Sequence, residues 1–418
     1  MKIKTHWAST VLLTNKKHRL IAGLSLNKLA DLLISAKTTL PALLISMGAP
    51  AWMIGWLVPI RESGALLPQA LLSFYLRNHS ERHSVWRAGM AVQALSVALI
   101  LSALVLASNS AMSGWMAGMV VLGALTLLSL GRSACSLTVK DMEADVAKKG
   151  ERGNLIGTAS TISGVATLAI ALPLFVFSDT LDAYMLMGIL GFSASVFALT
   201  LVCMWPIKTN VDVENVENGE NSNTKNNHTN DNKNSLFSVK FDSTVYKFIF
   251  VRGLFVHSAL VAPYFMLQKE QNAADLLPIY IGAEALATLL SSLVWGKVAD
   301  KSARLTLQIA GAMALVACIG LLVSNSESLV LSAALFFVLS IAHAGVRTGR
   351  KTYSLDVKEG QERTELVGFS NTSIGLILLA FGSLYAALTP VLSFSVVYVM
   401  AAMIALAIAT TFILPKEK

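Results

Sequence analysis

Runs free of Asp, Glu, Lys and Arg, each long enough to cross a bilayer, recur along this chain, and no other feature restricts its fold as strongly. A bilayer core asks for about 20 mostly apolar residues per helix and offers no water to unpaired backbone groups, so such runs must be helical. Residues 88–107, 111–131, 153–178, 183–207 and 305–326 are five of them, and 366–415 must form two helices broken near Leu388-Thr389-Pro390. Candidates with isolated charges lie at about 20–46, 50–76, 248–268, 276–296 and 328–349, giving twelve predicted spans. Composition agrees: only 14% of the residues are charged, against about 25% in a soluble domain. The solvent is mostly lipid.

A formal net charge of +8 would ordinarily raise nucleic acid as a partner. The positions of the basic residues point elsewhere. With the amino terminus inside, the inner loops and tails hold 26 of the 33 Lys and Arg, and six (Lys28, Lys37, Arg61, Arg132, Arg252, Arg347) fall within or at the ends of spans. Only Lys269 lies outside. Short cytoplasmic loops retain basic residues, so the expectation is a multi-pass protein of the plasma (cytoplasmic or inner) membrane with both termini in the cytoplasm. Lipid is then a partner and nucleic acid is not. The organisation expected is a tail at 1–19, a six-helix bundle at 20–207, a flexible Asn-rich cytoplasmic linker at 208–243, a second bundle at 244–414 and a tail at 415–418.

The two bundles read as copies. A shift of 222 residues superposes Pro41 on Pro263, Glu62 on Glu284, Ser80 on Ser302, Arg82 on Arg304 and Gly89 on Gly311, with ten identities over positions 41–89. A shift of 215 places Arg132 and Asp141 on Arg347 and Asp356, and one of 211 places Glu151, Arg152, Leu155 and Gly157 on Glu362, Arg363, Leu366 and Gly368. Parallel six-helix repeats imply a substrate site near the midplane, between the halves.

On these features, and on Gly296-Lys297-Val298-Ala299-Asp300-Lys301-Ser302-Ala303-Arg304 between spans 8 and 9, the chain resembles the major facilitator superfamily. That resemblance implies an all-α fold of two pseudo-symmetric bundles, in which spans 1, 4, 7 and 10 line a cavity and spans 3, 6, 9 and 12 support it from the lipid side. It also implies a gating loop carrying Gly296, Asp300, Lys301 and Arg304. The stretch Gly157–Gly164 lacks the Gly-Pro dipeptide of the family's drug antiporters.

A charge at bilayer depth is expensive unless paired or wetted, so the intramembrane ionisable groups are functional candidates. Asn27, Asp31, Ser35 and Thr38 fall within roughly 40° of one line on an ideal helix, a polar stripe on span 1. Lys28 is close enough along the helix to pair with Asp31, whereas Lys37 points about 120° away from the stripe. Glu62, Gln69 and Ser73 make a second stripe, with Arg61 beside it. Candidates for proton coupling are Asp31, Glu62, Glu284, His257 and His343; candidates for substrate binding are Asn27, Lys28, Asp31, Arg61, Arg132 and Arg347. Each has a plain alternative: a structural salt bridge for the acids and arginines, a satisfied hydrogen-bonded imidazole for the histidines. Lys37 and Arg252 read as structural.

No phosphate-binding glycine loop, nucleophile elbow or cysteine pair supports an enzyme, and no cofactor is implied. His79 and His83 have helical spacing but lie in a basic loop without a zinc-protease acid, so no metal is expected. Cys135, Cys203 and Cys318 read as buried thiols. The expected function is a monomeric secondary transporter of a small solute, proton-coupled, with a preference for anions because six bases face three acids within and at the ends of the spans. The rival readings are an efflux pump for lipophilic compounds and a transport-inactive sensor or assembly protein.

Overall fold

The computed structural model describes residues 16–77, 81–146, 152–176, 183–209, 243–324, 328–356, 360–392 and 394–415. The core of the linker, at 210–242, lies outside them, as do the first fifteen residues and the tip of the loop between spans 2 and 3. The described residues form helices and no β-strands. Span 1 comprises Lys16–Leu33 and Thr39–Ser46, and span 2 comprises Trp52–Leu66 and Pro68–Arg77. Spans 3 to 6 are Arg82–Ser108, Gly114–Val146, Arg152–Val176 and Ala183–Met204. Span 7 is three short pieces, Ser243–Leu254, His257–Leu260 and Ala262–Leu267. Spans 8 to 11 are Ala273–Ala299, Ala303–Val323, Leu329–Asp356 and Gly360–Leu388, and span 12 is Val397–Thr410. The predicted break after Leu388 is the observed end of span 11.

Packing repeats with the sequence. In the first half, span 1 packs on spans 5 and 6, span 4 on spans 2 and 3, and span 3 on span 6. In the second half the corresponding pairs are 7 with 11 and 12, 10 with 8 and 9, and 9 with 12. Between the halves the main contacts are span 2 on span 11 and span 5 on span 8. Large apolar side chains such as Leu95, Leu199, Val316 and Leu406 remain exposed on spans 3, 6, 9 and 12, as expected of helices whose outer face meets lipid.

Spans 1 and 7 are broken at corresponding places, which an ideal helical wheel does not anticipate. Residues 34–38 are non-helical in span 1, and the breaks in span 7 fall at 255–256 and 261. Pro41 and Pro263, superposed by the 222-residue shift, each stand just inside the piece that follows. A proline has no N–H for the carbonyl four residues back, which favours a break just before it, although Pro59, Pro173 and Pro278 sit inside continuous helices. Of the cysteines, Cys135 and Cys318 are buried, but Cys203 is only half-buried.

Spans 3 and 4 touch backbone to backbone. A Cβ on Gly89 would lie 2.7 Å from the carbonyl oxygen of Gly131, and one on Gly131 would lie 2.6 Å from that of Gly89. A side chain there must push the helices apart, because neither obstacle can rotate away. Gly131→Val is expected to cost about 1–3 kcal/mol, read as a lower Tm in detergent. Gly123→Val, where an added Cβ meets no described heavy atom within 4 Å, should leave Tm unchanged.

Candidate functional site

A cavity of about 240 Å³ lies between the halves, walled by spans 1, 2, 4 and 5 on one side and spans 8 and 10 on the other. Five bases (Lys28, Lys37, Arg61, Arg132, Arg347) and three acids (Asp31, Glu62, Glu284) line it, together with His343 and several hydroxyl groups. Eight of the ten residues predicted for coupling or binding therefore meet in one place.

The break in span 1 organises the first-half wall. Helix Lys16–Leu33 ends at the cavity, leaving carbonyls without intrahelical partners and the negative end of its dipole exposed. Arg61 fills that end. Its Nη1 donates to the carbonyl of Ile34 at 3.2 Å, and its Nη2 donates to the carbonyl of Asp31 at 3.5 Å and to Asp31 Oδ1 at 2.9 Å. Arg132 reaches the same carboxylate oxygen at 3.4 Å. Asp31 is thus shared by two guanidiniums, and the expected Lys28–Asp31 pair does not form. Lys28 turns away and donates to the Ser160 hydroxyl of span 5.

Within the break, Ser35 accepts a bond from the Lys37 N–H at 3.2 Å and donates to Glu284 Oε2 at 2.8 Å. Lys37 Nζ stands 3.8 Å from Glu284 Oε1. This is a bond between the halves: Lys37 meets another helix, span 8, as its direction away from the stripe suggested, and does so from a non-helical segment. Glu62 and Arg347, by contrast, make no hydrogen bond or ion pair within 4 Å among the described residues. Arg350, one turn beyond Arg347, is close enough to act electrostatically on Glu62, a neighbour that its sequence position next to an inner loop concealed.

Two predicted residues stay out of the cavity wall. Asn27 leaves its Oδ1 buried without a partner. His257 is completely buried in the span 7 break, with Nδ1 2.7 Å from the Leu254 carbonyl and Nε2 2.7 Å from the Tyr385 hydroxyl. The carbonyl requires the proton on Nδ1 and the tyrosine donates to Nε2, so both nitrogens of a neutral ring are satisfied. His343 does line the cavity, and its Nδ1 lies 3.2 Å from Ser258 Oγ. Ser258 spends its only proton on the Phe255 carbonyl at 2.9 Å, so His343 must carry its own on Nδ1, leaving Nε2 unprotonated.

The loop residues Gly296, Asp300, Lys301 and Arg304 lie at the ends of spans 8 and 9, away from the cavity wall. Arg304 lies over the Phe412 ring and donates to the Leu414 carbonyl at 3.5 Å, tying span 9 to the end of span 12. A Cβ on Gly296 would meet no described heavy atom within 4 Å, so close helix packing does not explain that glycine. In the first copy, Arg82 pairs with Asp141 at 3.2 Å. Arg252 binds Ser370 Oγ at 2.6 Å and Asn371 Oδ1 at 2.8 Å on span 11, the structural role expected of it.

Residues 258–418 match the sequence pattern of the Major Facilitator Superfamily. No curated protein sequence matches the chain. Among solved structures, a D-xylose-proton symporter superposes with a TM-score of 0.67 at 12% identity, over 96% of this chain and 97% of its own. The nucleoside transporter NupG superposes with 0.66 at 10% identity, over 96% and 98%. A bacterial homologue of the iron transporter ferroportin gives 0.66 at 15% identity in its inward-facing state, over 96% and 98%. In its outward-facing state the score is 0.56 at 14% identity, over 96% and 99%.

Removing one member of a buried ion pair strands its partners' charge, a loss of about 3–5 kcal/mol. Asp31→Asn is therefore expected to lower Tm in detergent. In an Asp31→Leu/Arg61→Leu double variant the loss should be smaller than the sum of the two single losses, as a double-mutant cycle would measure.

Proposed function

We propose that this chain, which has the major facilitator superfamily fold from end to end and that family's sequence pattern over its second half, is a secondary transporter carrying a small anionic solute by alternating access. The observation that carries this reading is the cavity between the halves, in which Lys28 and Arg347, on opposite walls, have no carboxylate within 4 Å among the described residues. Arg61, Arg132 and Lys37 are already held by Asp31 and Glu284. The free pair would clamp a carboxylate or phosphate from both halves at once, with the guanidinium of Arg347 available for a bidentate contact.

A lipophilic efflux pump is less well supported. The lining is dense in charge, and about 240 Å³ is small beside the roughly 300–1,000 Å³ of drug-sized pockets. The higher score against an inward-facing than an outward-facing relative supports reading this arrangement as open toward the cytoplasm. In that reading both termini are cytoplasmic, the membrane is the plasma membrane, and the Gly296–Arg304 loop gates the inner mouth. The transporter acts as a monomer.

Proton coupling is assigned first to Glu62. A proton on Asp31 would have to displace two guanidiniums, and one on Glu284 would release both Lys37 and Ser35, whereas Glu62 feels Arg132, Lys37, Arg350 and Arg347 electrostatically but has no hydrogen bond or ion pair to break among the described residues. His343 Nε2 is a second acceptor on the facing wall. His257 belongs to the span 7 break rather than to the proton path.

Counterflow into proteoliposomes tests the substrate class: small organic anions should compete for uptake, and cations and lipophilic compounds should not. Arg347→Gln should raise KM for the anion at least about tenfold, the equivalent of about 1.4 kcal/mol. Transport confined to cations would overturn the reading, and binding without flux would favour a sensor. Glu62→Gln should keep counterflow but lose its response to an imposed pH gradient, followed with an internal pH dye.

A further inference from the structure

The charges on the cavity wall do not balance. Lys28, Lys37, Arg61, Arg132 and Arg347 oppose Asp31, Glu62 and Glu284, an excess of two positive charges when all are ionised. Beyond the wall, Arg350 acts on Glu62 and adds a positive charge, and Glu143 acts on Lys28 and adds a negative one, so the excess of two stands. While the cavity is open to water, bulk anions offset this charge. Alternating access must pass through a state in which both mouths are closed, and there an uncompensated charge near the midplane is stabilised by neither water nor a counter-ion.

The pairings show which charges are uncompensated. Asp31 with Arg61 and Arg132 is one charge positive, which Glu62 offsets through its electrostatic contact with Arg132, and Glu284 matches Lys37 and holds Ser35, so those groups can close with the protein. The excess is carried toward the open space by Lys28, which bonds the neutral Ser160 hydroxyl, and by Arg347, without a bonded partner among the described residues. These are the groups that the anion reading gives to the substrate. A proton cannot replace the anion, because protonating Glu62 makes the cavity more positive still.

We propose that the protein is an obligate exchanger of small dianions: the cavity crosses the membrane filled and nearly neutral, and does not return empty. This rests on the anion reading above and adds to it both the substrate's charge and the mode of transport. The shared chemistry is two negative charges within a few ångströms, as in a short dicarboxylate or a phosphate. Any proton that moves does so in the filled cavity, alongside the anion.

The test uses the full chain in liposomes loaded with labelled succinate or, in a separate arm, labelled inorganic phosphate, with the voltage clamped by potassium and valinomycin. Efflux is measured into gluconate buffer with and without external unlabelled dianion. Exchange predicts at least 20-fold faster efflux when the external dianion is present, in whichever arm carries the substrate. Equal rates in the two buffers would overturn the proposal while leaving the anion reading intact. Efflux of neither anion, with carriage of cations instead, would remove the anion reading itself. Ser340→Asp, which adds a carboxylate to the cavity wall while keeping Lys28 and Arg347, should lower the ratio of exchange to net efflux several-fold. An unchanged ratio in that variant, with exchange intact, would count against the charge excess as the cause.

Discussion

The first-half wall of the cavity depends on one problem of backbone chemistry: a helix that ends inside the membrane. Span 1 stops at Leu33 and resumes at Thr39, and the groups released between them lose the partners that a continuous helix would supply. Arg61 answers with one fork of donors, satisfying the carbonyls of Asp31 and Ile34 and the Asp31 carboxylate together. A lysine could not reproduce this, since its ammonium lacks the planar spread of donors. Once Arg61 is fixed, Asp31 is fixed, Arg132 on span 4 has an anchor, and Lys28 is released to span 5.

The second half meets the same break without ions. His257 takes the place of the charged cluster, accepting from Tyr385 and donating to the Leu254 carbonyl, with Phe381 packed edge-on against its ring. The pseudo-symmetry of the chain is therefore geometric and not chemical. One break is wet and charged and faces the cavity; the other is aromatic and sealed. Ser258, through His343, makes a hydrogen-bonded connection from the sealed break to the cavity wall.

Much of this was legible in the sequence because membranes make few allowances. The spans follow from charge-free length, and the cavity residues from the price of burying charge, which is why Asp31, Glu62, Arg132, Glu284 and Arg347 could be gathered in advance. The misreadings share a physical source. A helical wheel presumes a continuous helix, so Lys28 was given to Asp31. Pro41 and Pro263, already aligned by the repeat, carried the signal that the wheel fails there. For His257 the sequence left a proton path and a satisfied imidazole both open, because it shows a titratable group at depth but not the Tyr385 hydroxyl that bonds it. Arg350 was missed for the opposite reason, since proximity to an inner loop disguised its reach back toward Glu62.

The strengths of the ion pairs are graded in a way that suits a moving part. The Asp31–Arg61 contact is short, at 2.9 Å, and lies within one half. The described ion pair that crosses the halves, Lys37–Glu284, is longer, at 3.8 Å, and both side chains keep some access to the cavity at 18% and 14% exposure. A charge pair weakens as separation and access to water grow, so the bond between the halves is the easier to break. Ser35 adds a second contact to Glu284 from the non-helical backbone of the break, where a small change in φ and ψ can withdraw it. In the proposed transport cycle, the contacts that must survive are thus built within a half around a helix end, and the contact that must open and close is placed on the segment of span 1 that is not helical.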